Sequence, residues 1–289
     1  MIVVDLPLTY HKRNLKEKIY KLVLLISKSE LFTKGSTALV FKIGGMLSIY
    51  FFHFLLAKFA GAEANGIFST FLTLLSIIVV VAILGLDTFL LKKLADFNSK
   101  QQWGSLKNTY KKAISIVLTI SIFLSLLLYV LFINGFLDFY KQSDIVYYLI
   151  FTIIPFSVLH LHAEAFRAIK NIKLFSFFKN FSVFGLAAIG LFFVNNIDQN
   201  IGVFTFTISV IFLSVLSVFL WLSTANRLHA PIGENISVLA MMKESFPMFL
   251  SGSLFLLMSW VDILMLGYFN SQTDVGVYTI ALKLAALCT

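Results

Sequence analysis

An all-α protein that crosses a membrane several times is the fold class that this sequence predicts. Of its 289 residues, 59% are hydrophobic and only 13% are charged, whereas soluble domains carry roughly 25% charged residues. The apolar residues are grouped in segments of about the 20 residues that a helix needs to cross the hydrocarbon core. The Lys and Arg residues lie almost entirely on one predicted side of these segments. These three observations predict a helical, multi-pass membrane protein.

Eight apolar segments are predicted to be helices, and the sequence ends within the eighth. They lie at about 36–57, 67–91, 113–133, 145–166, 174–194, 201–223 and 245–269, and from 275 onward. This order divides the chain into a basic amphipathic segment (1–34), a six-helix lobe (35–223), a linker (224–244) and the start of a second lobe (245–289).

The distribution of Lys and Arg predicts that the N-terminus is cytoplasmic. With that orientation the inner segments hold 18 of the 23 Lys and Arg residues, and the outer loops hold two. Such a bias follows the positive-inside rule. The net charge of +9 therefore requires no nucleic-acid partner, and the lipid bilayer is the predicted surroundings.

The N-terminal segment 1–34 carries a helical pattern of apolar residues among its cations. It is either a helix that lies on an anionic membrane surface or a solvated basic tail that sets the topology. The apolar positions with helical spacing are Leu15, Ile19, Leu22, Val23 and Ile26.

An internal repeat relates the first helical hairpin to the last at an offset of 210 residues. LLAKFAGAEANGIF matches MLGYFNSQTDVGVY, and Gly66 falls on Gly276. Glycine permits close contact between helices where a Cβ atom would clash. Both copies begin from the same predicted side, so the two halves are expected to be parallel repeats with a cavity between two lobes.

Three stretches resemble the Wzx-type polysaccharide-biosynthesis flippases of the multidrug/oligosaccharidyl-lipid/polysaccharide superfamily. They are SFPMFLSGS with SWVDILMLGYFNSQTDVGVYTIALKLA, LGLDTFLLKKLADF at 84–97, and EAFRAIKNIKLFSFFK at 164–179. The resemblance implies a MATE-like fold in the bacterial inner membrane and a chain truncated at its C-terminus. It also implies transport of undecaprenyl-diphosphate-linked glycan for O-antigen, capsule or exopolysaccharide synthesis, with a glycan polymerase and chain-length machinery as partners.

Three cations are candidates for binding the anionic head group of such a substrate: Lys42, Arg167 and Lys179. At 1.5 Å per residue, Lys42 and Lys179 lie about 8–9 Å inside the predicted cytoplasmic ends of their helices. Each lysine either anchors its helix at the interface or lines a vestibule for a phosphate group. Arg167 offers the forked donor that suits a diphosphate.

Five further ionisable residues are candidates for coupling or gating: Asp87, His160, Glu164, Asp262 and Lys283. His160, Glu164 and Arg167 share one helix stripe, which is either a proton-responsive relay or a self-satisfied ion pair, whereas His162 points elsewhere. Asp262 and Lys283 are predicted at the same depth, about 10–12 Å from the outer boundary. They either bond each other or line the interface between the lobes.

Two other functions compete with the flippase. A multidrug or cation exporter of the same superfamily would favour acidic residues in its cavity. A membrane enzyme of glycan assembly would need a nucleophile or an acid/base pair, often on a large outer loop, and the predicted outer loops are short. We therefore expect a transporter rather than an enzyme, with no metal site and no cofactor, coupled if at all to H⁺ or Na⁺.

Overall fold

The computed structural model describes residues 30–135, 143–194, 198–225 and 234–285, and every regular element in these ranges is helical. Five helices are long and apolar enough to cross a membrane, and a sixth, bent helix also qualifies if its two parts form one span. The predicted all-α polytopic membrane protein is therefore confirmed. Most of the predicted basic segment 1–34 lies outside the described residues.

Nine helices and one π-helical turn follow each other in the described ranges. They are α1 (Glu30–Ile83), α2 (Leu86–Ser99), α3 (Trp103–Ile133), α4 (Ser143–Ala168), α5 (Ile172–Ser176), the π-turn (Phe177–Phe181), α6 (Ser182–Gly190), α7 (Ile201–Ala225), α8 (Val238–Phe269) and α9 (Gln272–Ala285). Residues on both sides of the π-turn remain helical, so α5, the π-turn and α6 together form the span predicted at 174–194.

The first predicted hairpin is tighter than the hydropathy pattern indicated. Instead of a loop at 58–66, the backbone departs from helical geometry only at Gly61, where φ is 84° and ψ is 179°. Glycine adopts this positive φ without the steric cost that a Cβ atom would bring. The two arms of α1, 30–60 and 62–83, then pack together, with the Phe52 and Phe68 ring centroids 4.8 Å apart.

The second predicted span ends earlier than expected. The apolar run predicts a span at 67–91, but α1 stops at Ile83 because Leu84 and Gly85 both have positive φ, 49° and 72°. A Cβ atom on Gly85 would lie 2.5 Å from the Ser245 carbonyl oxygen, so α8 packs directly on this break. The following α2 buries Leu86, Phe89, Leu90, Leu94 and Phe97 along one face.

The linker predicted at 224–244 becomes helical at Val238. The Ser237 hydroxyl accepts a hydrogen bond from the Ala240 N–H at 3.2 Å, which caps the start of α8. Lys243 and Glu244 had moved the predicted start of this span to 245, because charged residues lower local hydropathy. Just before α8, the chain is held on α3 by a 2.7 Å hydrogen bond from Lys112 Nζ to the Ile236 carbonyl.

Two groups of helix ends lie together at opposite ends of the bundle. At one end, Asn98 of α2 donates a hydrogen bond to the Ala168 carbonyl at the end of α4. This is the end predicted to be cytoplasmic, and we call it the basic end because Lys92, Lys93, Lys100, Lys107, Lys111 and Lys112 lie in α2, in α3 or between them. At the other end, Ser271 and Asp274 cap α9 reciprocally, and the Ser271 hydrogen bonds lower the pKa of the Asp274 carboxyl.

Phenylalanine side chains fill the core where α1, α4, α6 and α7 meet. Phe68 and Phe206 are fully buried, and their ring centroids lie 5.4 Å apart in an edge-to-face arrangement. Other phenylalanines point outward, as Phe219 of α7 does with 68% of its surface exposed. Exposed aromatic side chains on these long apolar helices suit contact with lipid rather than water.

Helices α1 and α9 approach each other closely at the two glycines of the repeat. A Cβ atom on Gly66 would lie 1.7 Å from the Gln272 carbonyl oxygen, and one on Gly276 would lie 2.1 Å from the Ala62 carbonyl oxygen. The offset of 210 residues that relates Gly66 to Gly276 also relates Ala62 to Gln272. The crossing is therefore symmetric under the offset found in the sequence, and we call it the glycine crossing.

Candidate functional site

A cavity of about 370 Å³ separates α8 from the helices that precede it, and it contains three of the predicted site residues. An adjoining cavity of about 200 Å³ extends it toward Phe178 and Asn180. The two cavities share Ser76, Phe156, His160 and Lys179. The larger one is also lined by Val79, Val80, Ile83, Gly85, Asp87, Thr88, Met248, Phe249, Gly252, Ser253, Leu256 and Trp260.

Lys179 reaches the cavity from the π-turn. In a π-turn one extra residue widens the helix, which changes the direction of the side chains within it. The widened backbone at Asn180 fits against α1 at Gly45, where a Cβ atom would lie 2.6 Å from the Asn180 carbonyl oxygen. The close packing at Gly45 therefore fixes the segment that carries Lys179.

Glu164 is the centre of an ion-pair network beside the cavity. Its carboxylate lies 3.2 Å from Lys179 Nζ and 3.4 Å from Arg167 Nη1, and its side chain is only 8% exposed. The Arg167 guanidinium also lies over the Phe175 ring, 5.0 Å from its centroid. One carboxylate thus faces two cations, which leaves an excess of positive charge on this wall of the bundle.

The two histidines of α4 point in different directions, as the helical spacing predicted. His160 lines both cavities beside Lys179. His162 is instead buried between α3 and α7, where its ring nitrogens are hydrogen-bonded to Tyr110 and Ser217. His162 therefore belongs to the core. Within the described residues, no three His, Cys, Asp or Glu side chains are grouped closely enough to hold a metal ion.

The remaining head-group and coupling candidates divide between cavity and surface. Asp87 lines the cavity at the first turn of α2, and its carboxylate accepts a 2.7 Å hydrogen bond from the Thr88 N–H. Lys42 is exposed on α1 and lines neither cavity. The structure thus brings together Asp87, His160, Glu164, Arg167 and Lys179 and leaves Lys42 apart.

Asp262 and Lys283 do not form the ion pair that the sequence allowed. The exposed Asp262 carboxylate accepts a 3.3 Å hydrogen bond from the Tyr278 hydroxyl, and the two charges are not among the ion pairs of the described residues. Lys283 is half-buried on α9, and its carbonyl accepts a hydrogen bond from Tyr50 of α1. Asp262 meets Tyr278, which lies five residues before Lys283 on α9. Lys283 is therefore about 7.5 Å further along the helix and about 140° around it, away from Asp262.

Several polar residues of the structure were missed by the sequence analysis. Asn65 is fully buried at the glycine crossing, where it bonds His53 and donates a 3.1 Å hydrogen bond to the Gly276 carbonyl. Its position directly before Gly66 in the repeat was the available indication. No such indication existed for Trp260 and Ser76 of the cavity, because a single polar or aromatic residue within an apolar helix does not reveal which way its side chain points.

The match to a protein-family model covers residues 33–288, which include every residue of the cavity described above. The matching model is described as polysaccharide biosynthesis protein. The chain belongs to this family. Comparisons with curated proteins and with solved structures give no significant match.

Membership of the polysaccharide biosynthesis protein family confirms the resemblance to Wzx-type flippases that the sequence motifs indicated. It supports a membrane role in polysaccharide synthesis for this chain. In this family member, the cavity brings ionisable side chains and small polar residues together around a volume of about 370 Å³. It is therefore the candidate site.

An ion pair connects α2 to α8 next to the cavity, and its contribution can be measured. Lys93 Nζ lies 3.3 Å from the Glu244 carboxylate, with the two side chains 26% and 44% exposed. Partly exposed pairs contribute about 0.2–1 kcal/mol. We expect Lys93→Glu to lower the thermal unfolding midpoint and the double variant with Glu244→Lys to recover most of the loss. Equal midpoints for the single and double variants would contradict a direct interaction.

Proposed function

We propose that this protein moves undecaprenyl-diphosphate-linked oligosaccharide repeat units across the bacterial inner membrane by alternating access, as a step in O-antigen, capsule or exopolysaccharide synthesis. The lipid tail stays in the bilayer while the head group enters the cavity between α8 and the preceding helices. The observation that carries the proposal is the position of Lys179, a cation in an otherwise largely apolar cavity.

The charge balance of the cavity wall supports an anionic head group. Bringing a diphosphate out of water is costly unless cations or hydrogen-bond donors replace its hydration. Glu164 compensates only one unit of the charge on Lys179 and Arg167. The remaining positive charge is available to a phosphate group, and Lys179 is the member that lines the cavity.

Coupling to H⁺ or Na⁺ is assigned to Asp87 in this proposal. Glu164 is occupied by two cations, whereas the Asp87 side chain is hydrogen-bonded only to its neighbour Thr88 among the described residues. A carboxylate at the cavity wall can bind a proton or a small cation as the cavity changes its access. Asp262 is less suited to this role because it lies on an exposed face of α8.

A multidrug or cation exporter is less consistent with the same cavity. Cationic amphiphiles need an uncompensated carboxylate deep within the transport path. Asp87 is the sole carboxylate lining the two cavities among the described residues, and it lies near the basic end rather than deep in the bundle. Lys179 would oppose a cationic drug there.

The test of the head-group assignment is Lys179→Gln compared with Lys42→Gln. Both changes remove one lysine charge, but only Lys179 lines the cavity. A charge-assisted hydrogen bond contributes about 1.5–3 kcal/mol, so we expect Lys179→Gln to slow flipping by about tenfold or more. The flipping rate of Lys42→Gln should stay within about twofold of the rate of the unchanged chain.

The measurement uses proteoliposomes that contain a fluorescent isoprenyl-diphosphate oligosaccharide, with an impermeant reductant added to bleach the outer leaflet. The bleached fraction and its rate report how fast the substrate crosses. Flipping at the unchanged rate in Lys179→Gln would overturn the assignment. Equal loss in both variants would show that surface charge, not the cavity, matters.

A further inference from the structure

The cavity extends from the basic end of the bundle toward its middle. Gly85 packs against Phe249 at one end. From there, Ser76 lies nine residues back along the chain, about 14 Å, and Trp260 lies eleven residues further along α8, about 17 Å. Ser76 and Trp260, which both line the cavity, therefore mark its deep end at a similar depth. Asp87 lies at the other end.

Among the described residues, the half-buried Trp260 makes none of the ring contacts that the buried Trp221 makes. Trp221, for comparison, packs against Tyr110 at 4.5 Å and Phe166 at 5.5 Å between ring centroids. Within the described residues, Trp260 makes no aromatic ring contact and no hydrogen bond, although it lies in a protein with 32 phenylalanines. An indole that lines a cavity without a partner offers both a flat apolar face and an N–H donor to a ligand.

We propose that Trp260 is the stacking platform for the first sugar of the lipid-linked substrate, while Lys179 holds the adjoining diphosphate. A pyranose ring has an apolar C–H face and a polar rim of hydroxyl groups, so it suits an indole face beside small polar residues. Ser76 and Ser253 line the same cavity. Each serine hydroxyl donates to a carbonyl of its own helix, and its oxygen can accept a hydrogen bond from a sugar hydroxyl. This inference rests on the proposed function, and it makes Trp260 a residue that distinguishes glycosylated from sugar-free lipid.

The experiment compares two short-chain probes, farnesyl diphosphate and its monohexosyl derivative, by calorimetric titration of the chain in nanodiscs of zwitterionic lipid. The unchanged chain should bind the hexosyl probe about fivefold more tightly than the sugar-free probe, the range expected for one stacked ring. Trp260→Leu keeps an apolar side chain but no flat ring, and it should remove this preference. Trp260→Phe should keep most of it.

The control is the affinity for farnesyl diphosphate, which should be equal in all three proteins, because Lys179 and not Trp260 holds the diphosphate. Equal affinity of the unchanged chain for both probes would overturn the sugar platform and leave the proposed function standing. Loss of sugar-free binding in Trp260→Leu would mean that Trp260 contacts the lipid chain, which also overturns the inference. If neither probe binds the unchanged chain, both the proposed function and the sugar platform are overturned.

Discussion

Replacing Gly66 with alanine is expected to separate α1 from α9. It should lower the thermal stability of the protein more than a glycine-to-alanine change at any other described glycine. The new Cβ atom would lie 1.7 Å from the Gln272 carbonyl oxygen. Overpacking typically costs about 1–3 kcal/mol, and here the obstacle is backbone, which cannot rotate away as a side chain does. We expect a loss at or above the upper end of that range.

The matched control is Gly35→Ala, which adds a methyl group to the same helix. Apart from the adjacent backbone of that helix, no atom of the described residues lies within 4 Å of the new Cβ atom. The thermal unfolding midpoint of Gly35→Ala in detergent should be equal to that of the unchanged chain or slightly higher, because alanine favours the helix. Gly276→Ala should resemble Gly66→Ala, since its Cβ atom would meet the Ala62 carbonyl oxygen at 2.1 Å. An unchanged midpoint for Gly66→Ala would contradict the close crossing.

Replacing Glu164 with leucine is expected to disable transport and to destabilise the cavity wall. Lys179 and Arg167 would lose their shared carboxylate and leave two cations in a largely apolar wall. Breaking a fully buried pair costs about 3–5 kcal/mol. Because Lys179 is one-third exposed and Arg167 nearly half exposed, we expect about 1–3 kcal/mol.

Asp96→Asn is the control for Glu164→Leu, because it breaks an ion pair with Lys100 that is exposed on both sides. It should leave both thermal unfolding and lipid flipping unchanged. Lys179→Met combined with Glu164→Leu should recover part of the stability lost in Glu164→Leu alone, since it removes one of the two unpaired cations and leaves Arg167, but it should not recover flipping. Recovery of flipping in the double variant would contradict a direct role for Lys179.

The sequence was sufficient for those features that depend on composition or on regular spacing. The spans follow from runs of apolar residues, and the divergence of His160 and His162 follows from the helical period. The match between Gly66 and Gly276 was visible as a repeat. The ends of the helices were less predictable, because Leu84 and Gly85 break α1 by backbone conformation, while the apolar run continues to Leu91.

Contacts across helices could not be predicted for the site. Lys179 and Glu164 are fifteen residues apart in the sequence, and they meet across the turn that joins α4 to α5, with Lys179 in the π-turn that follows. The expected depth of Asp262 and Lys283 in the membrane was not enough to predict that their side chains touch, since contact also depends on which face of each helix the residue occupies. Trp260 became a candidate only when the cavity around it was known.

The glycine crossing also meets the geometric condition for a two-fold symmetric pair of identical hairpins. A Cβ atom added at either glycine would meet the carbonyl oxygen four residues before the other glycine, and it would lie 3.0 Å from the nitrogen of the other glycine. Self-complementary contacts of this kind are those of an isologous dimer. A hairpin with the sequence of the first repeat therefore carries both halves of the contact that it would need to pair with a copy of itself. Gene duplication and fusion of such a dimer would place the two copies in one chain without requiring a new interface.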